Sequence, residues 1–255
     1  MKVSIKKPKA PHVGLKHKTF VMIGMMRSGS NLLQRQLDLL PDIRCHGELF
    51  NPAFVGLAPE AKASHGGFRR EDAALRDADE LGFLMKVDEA CDRPVMGLRL
   101  FLDHSPEMTS RLLYDPEVRK IVLSRNLLES YVSLAIARET DVWLTTKEAS
   151  GPPKPIKVEV HKLINYALRQ SLYYNDILSV LHHTGQSYRM IDYSEIKQLD
   201  RLNDIAAFVG SSARVAKMEE PIKKQNPGSL AEKILDFPKL QEDLRKRNMM
   251  RWFGA

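Results

Sequence analysis

The chain has 255 residues, 43% of them apolar, which suits one α/β domain with a core large enough to fold alone. Its net charge of +7 is uneven: the first 37 residues carry eight Lys or Arg and no Asp or Glu, so an anionic ligand is expected in that half. Only two cysteines occur, Cys45 and Cys91, with no CxxC and no ligand-like spacing to His, which argues against a disulfide framework and a metal site. No apolar run reaches the roughly 20 residues of a membrane span, and none of signal-peptide length follows the basic start, so a cytoplasmic protein is expected.

In chain order, residues 1–18 read as a flexible basic arm with Lys2, Lys6, Lys7, Lys9, Lys16 and Lys18, and 19–255 as a single domain. The pattern predicts a strand at Thr19–Met25, a helix at Asn31–Leu40 and a short strand near Ile43–His46. A strand at Val95–Phe101, a helix at Ser105–Leu113, a strand at Lys120–Ser124 and a helix at Leu127–Glu139 follow. A long helix over about Glu159–His183, a strand at Tyr188–Asp192, a helix at Glu195–Val209 and an amphipathic tail at Phe237–Trp252 complete the chain. Strands alternating with helices imply a three-layer α/β fold with a mostly parallel sheet, whose ligands bind at the C-terminal strand ends. Two segments interrupt this pattern. Ala53–Arg93, with a turn at His65-Gly66-Gly67 and helical character over Arg70–Asp88, and Thr145–Lys157, stiffened by Pro152, Pro153 and Pro155, read as insertions.

The first strand breaks into Met26-Arg27-Ser28-Gly29-Ser30-Asn31 and then resumes as a helix, the layout of an anion cradle. Backbone N–H groups at the helix start, the hydroxyls of Ser28 and Ser30, the amide of Asn31 and the permanent charge of Arg27 all suit a phosphate-like group, while Gly29 permits close approach. A second candidate lies at the end of the strand before Arg125, with Ser133 eight residues further on, two turns into the next helix. Read alone, Arg125 is more readily a surface ion pair and Ser133 a helix serine bonded to its own backbone.

Together these segments resemble the PAPS-dependent sulfotransferase family, which uses 3′-phosphoadenosine 5′-phosphosulfate. The string Arg125-Asn126-Leu127-Leu128-Glu129-Ser130-Tyr131-Val132-Ser133 is most similar to the bacterial carbohydrate branch, which includes the Nod-factor and trehalose sulfotransferases. His46-Gly47-Glu48-Leu49-Phe50-Asn51-Pro52, Gly97-Leu98-Arg99-Leu100-Phe101, Ile191-Asp192-Tyr193-Ser194-Glu195-Ile196 and Pro221-Ile222-Lys223-Lys224-Gln225 resemble further family motifs in the same order, over about Thr19 to Asp236. Met26 in place of the loop proline, Asn31 in place of threonine and Asn126-Leu127 in place of Asp-Pro depart from the pattern.

The resemblance implies a P-loop-NTPase-like fold and transfer of the sulfuryl group of PAPS to a hydroxyl of a glycan or glycolipid acceptor, with PAP as product. Residues 27–31 would hold the 5′-phosphosulfate, with Arg27 stabilising the oxygen that takes up charge. Arg125 and Ser133 would hold the 3′-phosphate, Tyr193 would touch the nucleotide, and Lys223, Lys224 and Gln225 would close over it. Glu48 is the first candidate for the base that takes the acceptor proton and His104 the second, while His46 suits a buried packing role. Trp143 suits either a sugar-stacking ring or a helix-end plug. A homodimer through the C-terminal tail and packing of that tail within the chain are both open. No metal is implied, since cationic side chains can serve the singly charged sulfuryl group. A P-loop kinase or NTPase is the nearest alternative, but Ser30 stands where its lysine belongs and no Asp ends Ile121–Ser124. A basic nucleic-acid-binding protein is the other, and no reading motif or aromatic interleaving of the arm supports it.

Overall fold

Phe20-Val21-Met22-Ile23 sends successive side chains to opposite faces, and all four are fully buried, which requires a strand covered on both sides. The computed structural model describes residues 12–58, 66–143, 154–217 and 228–253. In it that strand is β1 (Lys18–Gly24), followed by α1 (Ser30–Asp38), β2 (Ile43–Cys45), α2 (Ala73–Ala78), α3 (Glu80–Glu89), β3 (Val95–Phe101) and α4 (Pro106–Tyr114). Then come β4 (Arg119–Ser124), α5 (Leu127–Thr140), α6 (Val160–His183), β5 (Tyr188–Asp192), α7 (Leu199–Val209), α8 (Leu230–Lys233), α9 (Phe237–Lys246) and α10 (Met250–Phe253). The sheet is parallel throughout, in the order β2-β3-β1-β4-β5, so β1 is central and its end lies between those of β3 and β4.

Period-2 alternation sorts the core into layers. Phe20, Met22, Ile121 and Leu123 pack under Leu33 and Leu37 of α1 and Leu202, Ile205 and Val209 of α7. On the opposite face Val21, Ile23, Leu98, Leu100 and Val122 meet α3, α4 and α6 through Leu84, Leu112 and Ile177. A third cluster joins α5 and α6 to the C-terminal helices through Val132, Leu163, Leu240, Leu244 and Phe253. The amphipathic tail therefore packs within the chain.

Several expectations need correction. The segment expected to be a loose arm is fastened over 12–17: Asp115 accepts the Val13 N–H at 2.6 Å, and Asp88 accepts the N–H groups of Lys16 and His17 at 2.6 and 3.2 Å. Buried carboxylates acquire these backbone donors because they need partners. The helical stretch expected over Arg70–Asp88 is two helices, broken at Asp79, whose backbone leaves the helical region and whose carboxylate caps α3 by accepting the Gly82 N–H. The helix expected from Glu195 begins at Leu199, because Glu195 folds its carboxylate back onto the Asp192 N–H and Arg201. His65, most of Thr145–Lys157, and Lys223, Lys224 and Gln225 lie outside the described residues.

Candidate active site

The ends of β1, β3 and β4 open onto one edge of the sheet, and among the described residues Arg27, Arg125, Glu48 and His104 gather there. After Gly24 the chain turns through Met25–Ser28, with the Ser28 N–H on the Met25 carbonyl at 3.1 Å, and enters α1 from Gly29. Arg27 (φ 71°) and Gly29 (φ 98°) both adopt left-handed backbone. A Cβ on Gly29 would stand 2.5 Å from the Tyr193 ring, so glycine is required there by both backbone and space. No side chain caps α1, leaving its first N–H groups and dipole directed at the loop. Ser28 is buried and its hydroxyl has no hydrogen-bond partner among the described residues, as suits a donor kept for a ligand.

Arg27 and Arg125 are wired together. Arg125 Nη1 donates to the Arg27 carbonyl at 2.9 Å, and Arg27 Nε donates to Ser133 Oγ at 2.9 Å. The Arg27 Nη1 also donates to the Trp143 carbonyl at 2.9 Å. Arg125 pairs with Glu129 one turn on, at 3.1 Å, and its guanidinium lies 4.0 Å from the centre of the Tyr193 ring. Burial, and after it the charge of Arg125, push the pKa of Arg27 below its ordinary value. Two crowded guanidiniums and a serine at a strand edge could hold an anion. The arrangement differs from the expected one in a specific way: Arg27 reaches across to Ser133, so it joins the Arg125 group instead of standing apart over its own loop.

A different cation takes the far side of the loop. Arg99, buried in β3, donates from Nη1 to Asn31 Oδ1 at 2.5 Å and to Ser30 Oγ at 3.4 Å, and the same nitrogen lies 3.4 Å from Glu48 Oε1. Arg99 is not among the site residues expected from the sequence. Its signal there is an arginine inside an otherwise apolar strand, which must find a buried counter-charge.

Glu48 follows β2 in a loop closed on itself: the Gly47 N–H donates to the Gly56 carbonyl at 2.7 Å and the Gly56 N–H to the Glu48 carbonyl at 3.0 Å. Its Oε2 accepts from Asn51 Nδ2 at 2.7 Å and lies 3.5 Å from His104 Nε2. Burial raises the carboxyl pKa, but the His104 hydrogen bond, the Arg99 charge and Asn51 outweigh it and hold Glu48 below the ordinary glutamate value. The Phe101 N–H donates to His104 Nδ1 at 3.2 Å, which leaves the ring proton on Nε2, facing Glu48. The two base candidates thus face each other, with the Glu48 carboxylate 3.5 Å from the N–H edge of the His104 ring. His46 is buried, as expected, with Nδ1 accepting the Ala58 N–H at 3.3 Å. Trp143 is 41% exposed, so it does not plug a helix end. Among the described residues there is no group of three or more metal-type side chains, and no helix is long and apolar enough to cross a membrane.

No family model matches the chain. Among curated proteins it is similar to Nodulation protein H of Rhizobium tropici, 23% identical over an alignment of 231 residues, with 87% of this chain and 87% of the other covered. Among solved structures it aligns with a sulfotransferase from Alicyclobacillus acidocaldarius at 16% identity, covering 94% of this chain and 96% of the other with a TM-score of 0.47. It aligns with mouse sulfotransferase SULT7A1 complexed with PAP at 13% identity, covering 92% and 85% of the two chains with a TM-score of 0.48. The ordered motifs from the first loop to the Tyr193 turn converge on one end of one parallel sheet, and the similarity to a nodulation protein runs through nearly the whole length of the chain.

Proposed function

We propose that the protein transfers the sulfuryl group of PAPS to a hydroxyl of a carbohydrate or glycolipid. The observation that carries this reading is the link between Arg27, Arg125 and Ser133 at adjoining strand ends, beside a helix start with uncapped N–H groups. A donor with phosphate groups at both 3′ and 5′ positions needs two anion sites side by side, and the loop 28–31 and the Arg125 group meet that need. Arg125, Ser133 and Arg27 hold the 3′-phosphate, with Tyr193 against the nucleotide. Ser28 and the N–H groups around Ser30 and Asn31 hold the 5′-phosphosulfate.

In the transfer the acceptor oxygen attacks sulfur in line, the bond from sulfur to the 5′-phosphate oxygen breaks, and PAP leaves. Glu48 takes the acceptor proton; its depressed pKa keeps it ionised, and His104 and Asn51 fix the carboxylate. Arg99, touching both Glu48 and the loop residues Ser30 and Asn31, lies on the route between base and phosphosulfate and stabilises the charge that grows there. The segments 53–93 and 145–157 of this single domain select the acceptor.

The test is calorimetry with adenosine 3′,5′-bisphosphate against ATP–Mg²⁺, joined to turnover of labelled PAPS with glycan extracts. Binding of the bisphosphate alone is expected. Arg125→Ala should weaken it at least tenfold, and Glu48→Gln should leave it intact while lowering turnover about 10²-fold or more. Preference for ATP–Mg²⁺, or wild-type turnover in both variants, overturns the reading.

A further inference from the structure

The loop that presents Glu48 is built around a residue that belongs to neither anion site. Arg76, in the short helix α2, is 1% exposed, yet it lies in a segment whose sequence reads as an insertion. Its Nη1 donates to three carbonyls of the Glu48 loop: Leu49 at 2.9 Å, Asn51 at 2.7 Å and Phe54 at 3.1 Å. On its other side Nε and Nη2 hold Asp77 Oδ1 at 2.7 Å, which supplies the counter-charge from a half-exposed position. Three carbonyls thus converge on one guanidinium nitrogen, and the turn they belong to carries Glu48 and its partner Asn51.

We propose that Arg76 is a positioning residue: it draws the 49–54 carbonyls together and thereby sets the Glu48 carboxylate against His104, Asn51 and Arg99. This rests on Glu48 acting as the base of the transfer. Three features make the backbone route a stiff one. Gly47 and Gly56 are hydrogen-bonded across the neck of the loop, and the Gly47 carbonyl accepts the Arg99 N–H at 2.9 Å. A Cβ on Gly56 would stand 2.4 Å from the Glu48 nitrogen, so the two sides of the neck are in contact. Arg70 stacks on Phe54, 3.7 Å from the ring centre, and covers the same turn from outside. With the neck fixed, movement of the 49–54 turn is passed to Glu48. Lysine cannot replace Arg76, since an ammonium keeps the charge but lacks the planar fork that holds Asp77 and the carbonyls together.

The experiment compares wild type, Arg76→Lys and Glu48→Gln, using ¹⁵N-histidine spectra with the His104 signals identified from His104→Gln. It adds calorimetry with adenosine 3′,5′-bisphosphate and turnover of labelled PAPS with the glycan extract that wild type sulfates. In Arg76→Lys the His104 Nε2 signal is expected to move toward its position in Glu48→Gln, and kcat to fall roughly 10- to 100-fold, with bisphosphate affinity and the KM for PAPS unchanged. A merely structural role would disturb both sites together. Wild-type His104 signals and a rate within about twofold of wild type in folded Arg76→Lys overturn the positioning role, even where Glu48→Gln abolishes turnover. If Glu48→Gln leaves turnover unaltered while Arg76→Lys still moves the His104 signal, the base assignment falls and the positioning stands. Should Arg76→Lys fail to fold, Asp77→Asn releases the other side of the guanidinium; faster exchange of the Gly47 and Gly56 amides with a displaced His104 signal supports the proposal, and wild-type exchange and signal overturn it.

Discussion

The guanidinium of Arg125 meets the Arg27 carbonyl, the Glu129 carboxylate and the Tyr193 ring, and of these the carboxylate is the partner a phosphate would replace. Glu129 is 42% exposed, so its i,i+4 pair with Arg125 contributes only about 0.2–1 kcal/mol, less than a phosphate group with two charges can offer. Glu129→Gln should therefore bind adenosine 3′,5′-bisphosphate about two- to fivefold more tightly, measured by calorimetry at constant ionic strength. Weaker binding would mean that the carboxylate orients Arg125 for its ligand instead of competing with it. The nearness of Arg125 and Ser133 was legible in the sequence because a strand end and a helix turn fix their offset, whereas the reach of Arg27 to Ser133 was not. Arg99 and Arg76 were not legible either, because their roles depend on what the fold brings beside them: Arg99 lies one strand away from the loop that it touches, and Arg76 lies 27 residues beyond the carbonyl of Leu49.

Among elements, the strands were read nearly to the residue; β1, β3 and β4, buried on both faces, leave apolar runs of fixed length. Helix starts at Asp79 and Glu195 were misread because an acidic side chain there bonds a backbone N–H, a choice that periodicity does not register. The C-terminal helices matter to the site through α5. Asn126 caps that helix by accepting the Glu129 N–H at 3.0 Å and at the same time donates to the Phe253 carbonyl at 2.6 Å. The residue after Arg125 is thus tied to α10, near the end of the chain. Leu244 of α9 is fully buried in the cluster that seats this contact. Leu244→Ala is expected to cost about 2–5 kcal/mol in urea unfolding, with an unchanged m-value. A loss under about 1 kcal/mol would mean that α9 is not docked as described.

At the scale of the whole molecule the sheet has two unlike ends. The C-terminal strand ends carry the candidate site, and at the opposite end of β4 Lys120 is fully buried, its Nζ donating to the Asp115 carbonyl at 2.5 Å and to Gln186 Oε1 at 2.6 Å. Burial lowers its pKa from 10.5 to about 8, with Asp115 opposing and Arg119 adding to the shift. A lysine whose folded pKa lies below its unfolded value binds fewer protons in the fold than in the unfolded chain between about pH 8 and 10.5. Stability must then rise with pH across that window, by about 3 kcal/mol at most for this group, and be lowest with respect to it below about pH 8. Lys120→Met removes the titration. Urea unfolding of both proteins from about pH 7 to 10.5 should give a wild-type stability that gains on the variant steadily above about pH 8, whatever constant offset the lost hydrogen bonds introduce. Parallel curves would show that Lys120 keeps an ordinary pKa and that water reaches its ammonium through the N-terminal strap formed by His12–His17 over Asp115 and Asp88.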